Sequence, residues 1–265
     1  MGQRAVAIIQ ARMSSTRLPG KVLLPLAGKP VIWHVVDRLK RCERVERIVV
    51  ATSSDASDDV LAEYLKAHAI ECHRGNLENV LQRFLDVLRA TQYSLFVRVT
   101  ADCPLIEPKF IDEQICALEQ FDGDVIWLGQ QTSVLEGQGV RSARSLRYIH
   151  ERSTSSEDQE HVGSIYLSRH PEEFRIVEMH IPREYCIRDV RLTLDEDDDY
   201  KMFSEIYGSL WKDRPVDLLE ALEWLKANPG VTETNRSVKH SVINQEVRGY
   251  FGSWVSAPKV GVYRW

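Results

Sequence analysis

The chain has 265 residues, of which 43% are hydrophobic, and this fits one large α/β domain with an appendage. Its formal net charge of -5 argues against general nucleic-acid binding, and no apolar run is long enough for a membrane span, so we expect neither partner. Five cysteines without a Cys-x-x-Cys pair are typical of reduced thiols, and the N-terminal apolar run lacks a signal-peptide layout, so we expect a cytoplasmic protein.

Strand-like and helix-like segments alternate along the first two-thirds of the chain. Short apolar runs predict buried strands, and apolar residues at helical spacing predict helices, with Pro30 suited to a first helical turn and Ser57 to a helix cap. The predicted strands cover residues 5–9, 48–51, 70–73, 95–99 and 124–127, and the predicted helices begin at 30 and 57 or cover 77–88 and 110–121. This alternation implies an α/β fold with a Rossmann-like, mostly parallel sheet and helices on both faces.

The alternation weakens between residues 128 and 156, which are mostly polar, so we expect this stretch to leave the central sheet. Beyond it, the patterns predict helices over 160–169, 197–210 and 215–226, and strands over 174–179 and 190–194. We therefore divide the chain into a main domain at 1–212, with a small irregular middle insertion at about 128–191, and a C-terminal helix and irregular tail at 213–265.

Three polar clusters follow predicted strands, at residues 12–21, 52–55 and 100–104. Parallel sheets bind ligands beyond the carboxyl ends of their strands, so we expect the clusters to converge on one site. The first loop combines the positive charges of Arg12, Arg17 and Lys21 with three hydroxyl residues at 14–16, which suits a triphosphate. The loop is not a Walker or Gly-x-Gly-x-x-Gly motif, and by charge alone a basic loop is more often a solvated turn.

The exact sequence of this loop carries a family resemblance. Gln-Ala-Arg-x-Ser-Ser-x-Arg-Leu-Pro-Gly-Lys at residues 10–21, followed by Pro-Leu-Ala-Gly-Lys-Pro at 25–30, resembles the opening of the cytidylyltransferase family. That family contains CMP-Kdo and CMP-sialic acid synthetases, and the spore-coat-polysaccharide-type branch is the most similar. The resemblance implies a nucleotide-diphospho-sugar transferase type of fold. It also implies transfer of CMP from CTP to a sugar acid, sugar phosphate or related small anionic acceptor, with release of pyrophosphate, in surface polysaccharide or glycoconjugate biosynthesis.

Two aspartates lie in segments that resemble further family motifs. Residues 98–105, Arg-Val-Thr-Ala-Asp-Cys-Pro-Leu, and residues 192–195, Leu-Thr-Leu-Asp, resemble motifs whose aspartates bind the divalent cation. The resemblance thus implies a Mg²⁺ cofactor held by Asp102 and Asp195. Judged without it, an aspartate at a strand end is more often a cap, and Asp195 also suits an acidic helix start. We expect catalytic roles for Arg12, Lys21 and Asp102.

The resemblance also implies a set of nucleotide contacts, among which Arg74 of an Arg-Gly pair could approach either the nucleotide or the acceptor. Two neighbouring residues receive structural assignments instead, because we expect Arg83 to form an ion pair on its helix and Cys103 to be a small buried residue. The expected nucleotide-binding residues are Ala11, Arg12, Met13, Ser14, Ser15, Arg17, Lys21, Thr52, Arg74, Arg98 and Ala101.

The middle region departs from the family pattern. Many relatives carry Asp-Gly-Leu-Asp-Val-Glu where the acceptor is held, whereas this chain has Glu-Gly-Gln-Gly-Val-Arg at residues 136–141. Gly139 and Arg141 then replace two acids, which favours a more anionic acceptor, and we expect Arg141 and His161 to contact it. A structural histidine fits the sequence equally well. Two alternatives stay open: a nucleotide-binding scaffold or regulator without transferase activity, and a nucleotidyltransferase that uses another NTP.

The last expectation is a homodimer built from the middle insertion. Apolar residues persist there, and they require either a partner surface or packing within their own domain. The resemblance favours the dimer, because related synthetases dimerise through their middle insertion. The apolar residues concerned are Ile165, Tyr166, Leu167, Phe174 and Ile176.

Overall fold

A computed structural model describes residues 4–129, 131, 133–187, 190–238 and 251–265, and its centre is an eight-stranded sheet. The strands are β1 Ala5–Gln10, β2 Pro25–Leu26, β3 Lys29–Pro30, β4 Val45–Ser53, β5 Cys72–Gly75, β6 Leu95–Thr100, β7 Val125–Trp127, β8 Gln138–Ser142, β9 Ile176–His180 and β10 Lys259–Arg264. The strand order in the sheet is β10-β9-β7-β8-β6-β1-β4-β5, and the paired strands run parallel except where β8 meets β6 and β7. Strands β2 and β3 form a separate small antiparallel hairpin.

The helices cover both faces of this sheet, as the sequence predicts. The helices are α1 Val31–Leu39, α2 Asp59–Ala67, α3 Val80–Thr91, α4 Pro108–Phe121, α5 Ala143–Arg152, α6 Ser156–Glu160, α7 Ser164–Arg169, α8 Asp197–Leu210, α9 Leu218–Ala227, α10 Pro229–Glu233 and α11 Phe251–Ser256. Alternate residues of β1 face the two helix layers. Ala5, Ala7 and Ile9 pack with α1, α2 and α4, whereas Val6 and Ile8 pack with α3, α5 and α7. No helix in the described ranges has the length and apolarity needed to cross a membrane.

The expectation that the middle region leaves the sheet is wrong for β8, which lies between β6 and β7. The sequence of β8 has little apolar character, and the strand can still be buried because hydrogen bonds satisfy its polar side chains. The Gln138 side chain accepts from the Glu107 backbone N–H at 2.6 Å, and the Ser142 hydroxyl donates to Asp124 at 2.5 Å. Apolar periodicity therefore fails to reveal a strand whose inward side chains are polar and internally paired.

Two more local predictions are wrong. Residues 190–194 form no strand; Leu192 and Leu194 alternate because both are buried in the cluster around α8 and α9. The C-terminal tail was expected to be irregular, yet β10 pairs in parallel with β9 at the sheet edge. Residues 239–250 of that tail, and 130, 132, 188 and 189 of the middle insertion, lie outside the described residues. The division at residue 212 stays a prediction.

The apolar residues that motivated the homodimer are satisfied within one chain. Ile165, Leu167, Phe174 and Ile176 are all at most 6% exposed, and three of them belong to the cluster beneath β1 and α3. The Tyr166 hydroxyl donates to Glu173 at 2.7 Å. Packing within their own domain thus explains these residues, and the dimer itself stays a prediction based on the resemblance.

Candidate active site

A cleft of about 560 Å³ opens at the carboxyl ends of β1 and β6. These two strands are adjacent and parallel, with Gln10 opposite Thr100, so the loops that follow them emerge side by side. The loops at 12–21 and 100–104 therefore converge, as predicted, whereas the third cluster, at 52–55, contributes no residue to the cleft lining. The lining also includes residues that come from α3, from the turn before β8, from the end of α6 and from the segment before α8. These additional lining residues are Val80, Arg83, Glu136, Gly137, Glu160, His161, Thr193 and Asp195.

The loop at 12–21 is held in place by Asp58, a residue fully buried beneath it. The Asp58 carboxylate accepts from the Met13 backbone N–H at 2.7 Å and from the Ser53 backbone N–H at 3.1 Å. Burial acts to raise the pKa of Asp58, but these hydrogen bonds outweigh it and the pKa is lowered. The loop closes at Gly20, whose φ of 73° favours glycine and whose N–H donates to the Met13 carbonyl at 2.8 Å. Sequence reasoning missed this role of Asp58.

Lys21 lies at the centre of the cleft floor, 8% exposed, between the two predicted metal-binding aspartates. Its Nζ donates to Asp102 Oδ2 at 2.6 Å, to Asp195 Oδ1 at 2.8 Å and to the Leu194 carbonyl at 2.9 Å. Burial acts to lower the pKa of Lys21, but the two carboxylates outweigh it and the pKa is raised. The structure thus brings together the two aspartates and the lysine that the motifs single out.

Asp195 is surrounded by positive charge. Besides Lys21, its carboxylate contacts Arg17 at 2.8 Å and accepts a hydrogen bond from Arg191. Burial acts to raise the pKa of Asp195, but the three cations outweigh it and the pKa is lowered. Arg191, 9% exposed, was not identified from the sequence; its position four residues before Asp195 was the available signal. It also contacts the fully buried Asp199 at 3.3 Å.

The donor set between Asp102 and Asp195 fits a divalent cation. Two carboxylate oxygens converge on one positively charged atom, Lys21 Nζ, and hard oxygen ligands are what Mg²⁺ prefers. Magnesium needs only one or two protein carboxylates, because phosphate oxygens and waters complete its coordination.

Arg83 is more than the structural residue that the sequence suggested. It is 1% exposed, and its Nη1 donates to the Ala51 carbonyl at 3.2 Å, while its buried Nε has no hydrogen-bond partner among the described residues. The expected ion pair is wrong, because no carboxylate in the described ranges lies within salt-bridge distance of it. Burial lowers the pKa of Arg83 to about 10, so it stays charged at neutral pH. A buried, unpaired cation in a cleft wall is a candidate anion contact.

Four of the expected nucleotide-binding residues do not line the cleft. The Arg74 guanidinium points away to Asp59 at 2.7 Å and to the Ser53 carbonyl at 2.8 Å, and Thr52 is fully buried. Met13 contributes its backbone N–H to Asp58, and Ser14 is exposed. The expected residues that do line the cleft are Ala11, Arg12, Ser15, Arg17, Lys21, Arg98, Ala101, Asp102, Asp195 and His161.

Burial changes the pKa of two further residues of the cleft lining. Cys103 is 3% exposed, and burial raises the pKa of its thiol, which makes it the small buried residue that was expected. Burial also lowers the pKa of His161, and the nearby Arg98 acts in the same direction. A neutral imidazole at the edge of the cleft can accept a hydrogen bond from a ligand hydroxyl.

A mostly parallel sheet with arginines and a lysine in a cleft at its strand ends is typical of proteins that bind phosphates, and comparison with known proteins specifies the class. The sequence model of a family described as "Cytidylyltransferase" matches residues 6–239. The chain is 30% identical over 226 residues to the spore coat polysaccharide biosynthesis protein SpsF of Bacillus subtilis (strain 168), across 84% of this chain and 94% of that protein. It is 39% identical over 116 residues to 3-deoxy-manno-octulosonate cytidylyltransferase of Geobacter sulfurreducens, across 43% of this chain and 45% of that enzyme.

Solved structures agree with this assignment. A cytidylyltransferase from Leptospira borgpetersenii serovar Hardjo-bovis superposes with a TM-score of 0.79 at 26% identity, across 90% of this chain and 100% of that chain. CMP:2-keto-3-deoxy-manno-octonic acid synthetase complexed with CTP shares the fold, with a TM-score of 0.55 at 16% identity across 78% and 99% of the two chains. The chain belongs to the cytidylyltransferase family, and it is a nucleotidyltransferase.

Proposed function

We propose that the protein transfers CMP from CTP to a hydroxyl group of a small anionic acceptor and releases pyrophosphate. The acceptor is a sugar acid, a sugar phosphate or a related compound used in surface polysaccharide or glycoconjugate biosynthesis. One observation carries the proposal: Lys21, Asp102 and Asp195 form a single charged cluster on the floor of a cleft in a chain of this family. The names of the similar proteins support the choice of nucleotide and of pathway.

The reaction requires the acceptor oxygen to attack the α-phosphorus of CTP in line with the leaving pyrophosphate. Arg12, Lys21 and Arg17 are the cations that face the triphosphate, since they extend from the loop that lines the cleft. Arg12 is half-exposed and its only described ion pair, with Glu160 at 3.0 Å, lies at the surface, so it can exchange partners at low cost. Positioning and electrostatic stabilisation suffice for this chemistry, and no covalent nucleophile is needed.

We further propose that Asp102 and Asp195 hold Mg²⁺. When bound, the ion supplies charge neutralisation at the phosphate oxygens. With both carboxylates engaged by the ion, the Lys21 ammonium would keep its hydrogen bond to the Leu194 carbonyl and would be able to contact a phosphate in the cleft. Arg141 and His161 are proposed acceptor contacts, and the neutral His161 ring is suited to accept a hydrogen bond from an acceptor hydroxyl.

Pyrophosphate release tests the reaction, with CTP, Mg²⁺ and a pool of sugar acids and sugar phosphates. Lys21→Ala and Asp102→Ala should each lower turnover about 10²- to 10³-fold, the scale of losing one preorganised electrostatic contact. Lys66→Ala is the matched control, because Lys66 is exposed on α2, outside the cleft lining. Near-wild-type turnover in either cleft variant would remove that residue from the mechanism. Tight CTP binding without turnover across the pool would favour the scaffold or regulatory alternative.

Nucleotide choice is tested separately by thermal shift with CTP, UTP, GTP and ATP in the presence of Mg²⁺. A bound ligand stabilises the folded state by mass action, so CTP should give the largest shift. Equal or larger shifts with UTP or GTP would favour the alternative of a nucleotidyltransferase that uses another NTP. The homodimer and the cytoplasmic location stay predictions.

A further inference from the structure

A second cavity of about 360 Å³ lies beside the first cleft, and the two share Arg98 and His161 as a common wall. One side of it is aromatic, formed by Trp127 of β7 and Trp254 of α11. Another side is polar, formed by Arg141 of β8 and hydroxyl residues of α7. Its volume lies in the range of small-ligand sites, about 300–1,000 Å³, and such sites typically combine an apolar surface with a few placed polar groups.

The polar side holds two half-buried guanidinium groups that have no carboxylate within salt-bridge distance in the described ranges. Arg98 donates to the Gln10 side chain at 3.0 Å and to Ser164 Oγ at 3.3 Å. Arg141 donates to the Val162 carbonyl at 2.9 Å and to Ser164 Oγ at 3.0 Å. No acid in the described ranges forms a salt bridge with either arginine. Burial lowers the pKa of Arg98 to about 10 and that of Arg141 to about 9, so both are charged at neutral pH.

These two charges are unfavourable without an anion. Arg98 and Arg141 meet at one serine hydroxyl, Ser164 Oγ, which itself donates to the His161 carbonyl at 2.8 Å. Among the described residues each guanidinium therefore donates only to neutral oxygens, while Asp102 and Asp158 act on Arg98 and Arg141 from beyond salt-bridge distance. The positive charge of Arg98 also helps to lower the pKa of Arg141. Charges that are partly withdrawn from water favour a partner of opposite sign, so this arrangement favours a ligand that brings the negative charge.

The backbone leaves room for such a ligand. Gly139 of β8 pairs directly with Arg98 of β6, and it lines the second cavity. A methyl group added at Gly139 would have no heavy atom of the described residues within 4 Å, so this part of the structure leaves open space where a side chain would project. Gly139 and Arg141 are two apart on one strand and so face the same side of the sheet. An anionic group can thus approach both arginines from the open position at Gly139.

We propose that the second cavity is the acceptor site and that it binds the anionic group of the acceptor, a carboxylate or a phosphate, between Arg98 and Arg141. The carbon skeleton of the acceptor lies against Trp127 and Trp254, and its reacting hydroxyl passes His161 toward the first cleft. This inference rests on the proposed function, since it assigns the acceptor of the same reaction. Arg98, expected from the sequence to contact the nucleotide, takes a specificity role at the shared wall.

The test measures ligand binding by calorimetry, with α,β-methylene CTP and Mg²⁺ filling the first cleft so that no turnover occurs. The probes are gluconate, sorbitol 6-phosphate and sorbitol, which share a six-carbon skeleton and differ in the charged group. We expect at least one anion to bind about tenfold or more tightly than sorbitol, the scale of a charge-assisted hydrogen-bond pair. The tighter anion decides between carboxylate and phosphate. Failure of both anions to exceed sorbitol overturns the proposal.

Two variants of one position isolate the charge. Gly139→Asp places a carboxylate beside Arg98, whereas Gly139→Asn adds nearly the same volume without charge. We expect Gly139→Asp to bind the anion at least about tenfold more weakly than Gly139→Asn does. Arg141→Gln should weaken it by a similar factor, and Arg147→Gln, at an exposed arginine of α5, should leave it unchanged. Equal anion affinity in Gly139→Asp and Gly139→Asn would overturn the proposal.

Binding of the nucleotide analogue separates this inference from the proposed function. None of these substitutions lies in the lining of the first cleft, so the analogue should bind all variants equally, which also verifies that they fold. If the analogue binds but the anions behave like sorbitol, the acceptor site fails and the proposed function survives. If anions bind and respond to Gly139→Asp while no nucleotide binds, the proposed function fails and the anion site survives.

Discussion

The ammonium of Lys21 between two carboxylates makes a quantitative prediction about the stability of the nucleotide-free protein. Lys21→Met keeps the aliphatic chain but removes the charge, and among the described residues the Asp102 carboxylate then retains only the weak donor Cys103 Sγ at 3.6 Å. Asp195 keeps Arg17 and Arg191, so Asp102 accounts for most of the loss. Breaking a buried pair from one side costs about 3 kcal/mol, and these side chains are only 11% and 19% exposed.

A double-mutant cycle isolates the interaction between the two groups. Asp102→Asn alone should cost less, about 1–2 kcal/mol, because Lys21 keeps Asp195 and the Leu194 carbonyl. The double variant should be more stable than the sum of the single losses implies, with a coupling energy of about 1.5–3 kcal/mol. The same cycle on Arg214 and Glu220, a pair at 2.8 Å with side chains 48% and 28% exposed, should give less than about 1 kcal/mol.

The assay is urea unfolding followed by tryptophan fluorescence, in a buffer with a chelator so that no divalent cation replaces the ammonium. A coupling energy no larger than that of the Arg214–Glu220 control would refute the claim that Lys21 and Asp102 stabilise each other more than an exposed ion pair does. Repeating the measurement with Mg²⁺ adds a second condition. Mg²⁺ should raise the free energy of unfolding of Lys21→Met more than that of the wild type, because the ion no longer competes with the ammonium for the two carboxylates.

Three further predictions concern pH, packing and assembly. The lowered pKa of Asp195 contributes stability that is present above its ordinary pKa of 3.8 and is lost as the pH falls through the folded-state value. Urea midpoints should thus fall less steeply in Asp195→Asn than in the wild type when the pH drops below about 4. Gly137→Ala should destabilise by more than about 2 kcal/mol by thermal or urea unfolding, because the new methyl would lie 2.4 Å from Cys103 Sγ and φ is 70°. Light scattering should give a dimeric mass at micromolar concentration, and a monomeric mass would rule out a stable dimer.

The sequence by itself determined the type of fold and the main parts of the site. Alternating strand and helix patterns predicted a parallel sheet, and the loop at 12–21 and the motifs around Asp102 and Asp195 predicted the residues that meet in the cleft. These features are visible because they depend on local periodicity and on contiguous motifs. The register of β1 beside β6 then brings their loops together, as parallel topology requires.

Only the tertiary structure decided which charges are paired. The sequence placed Arg74 at the nucleotide and Arg83 in an ion pair. In the structure Arg74 turns away to Asp59, and Arg83 lies buried in the cleft wall with no acid of the described residues within salt-bridge distance. Neither the polar strand β8 nor the lack of a described carboxylate partner for Arg98 and Arg141 could be predicted from the sequence. The physical reason is that burial and pairing depend on residues far away along the chain. A side chain's type states its charge, but only the packed fold determines whether a partner, a solvent molecule or a ligand must neutralise it.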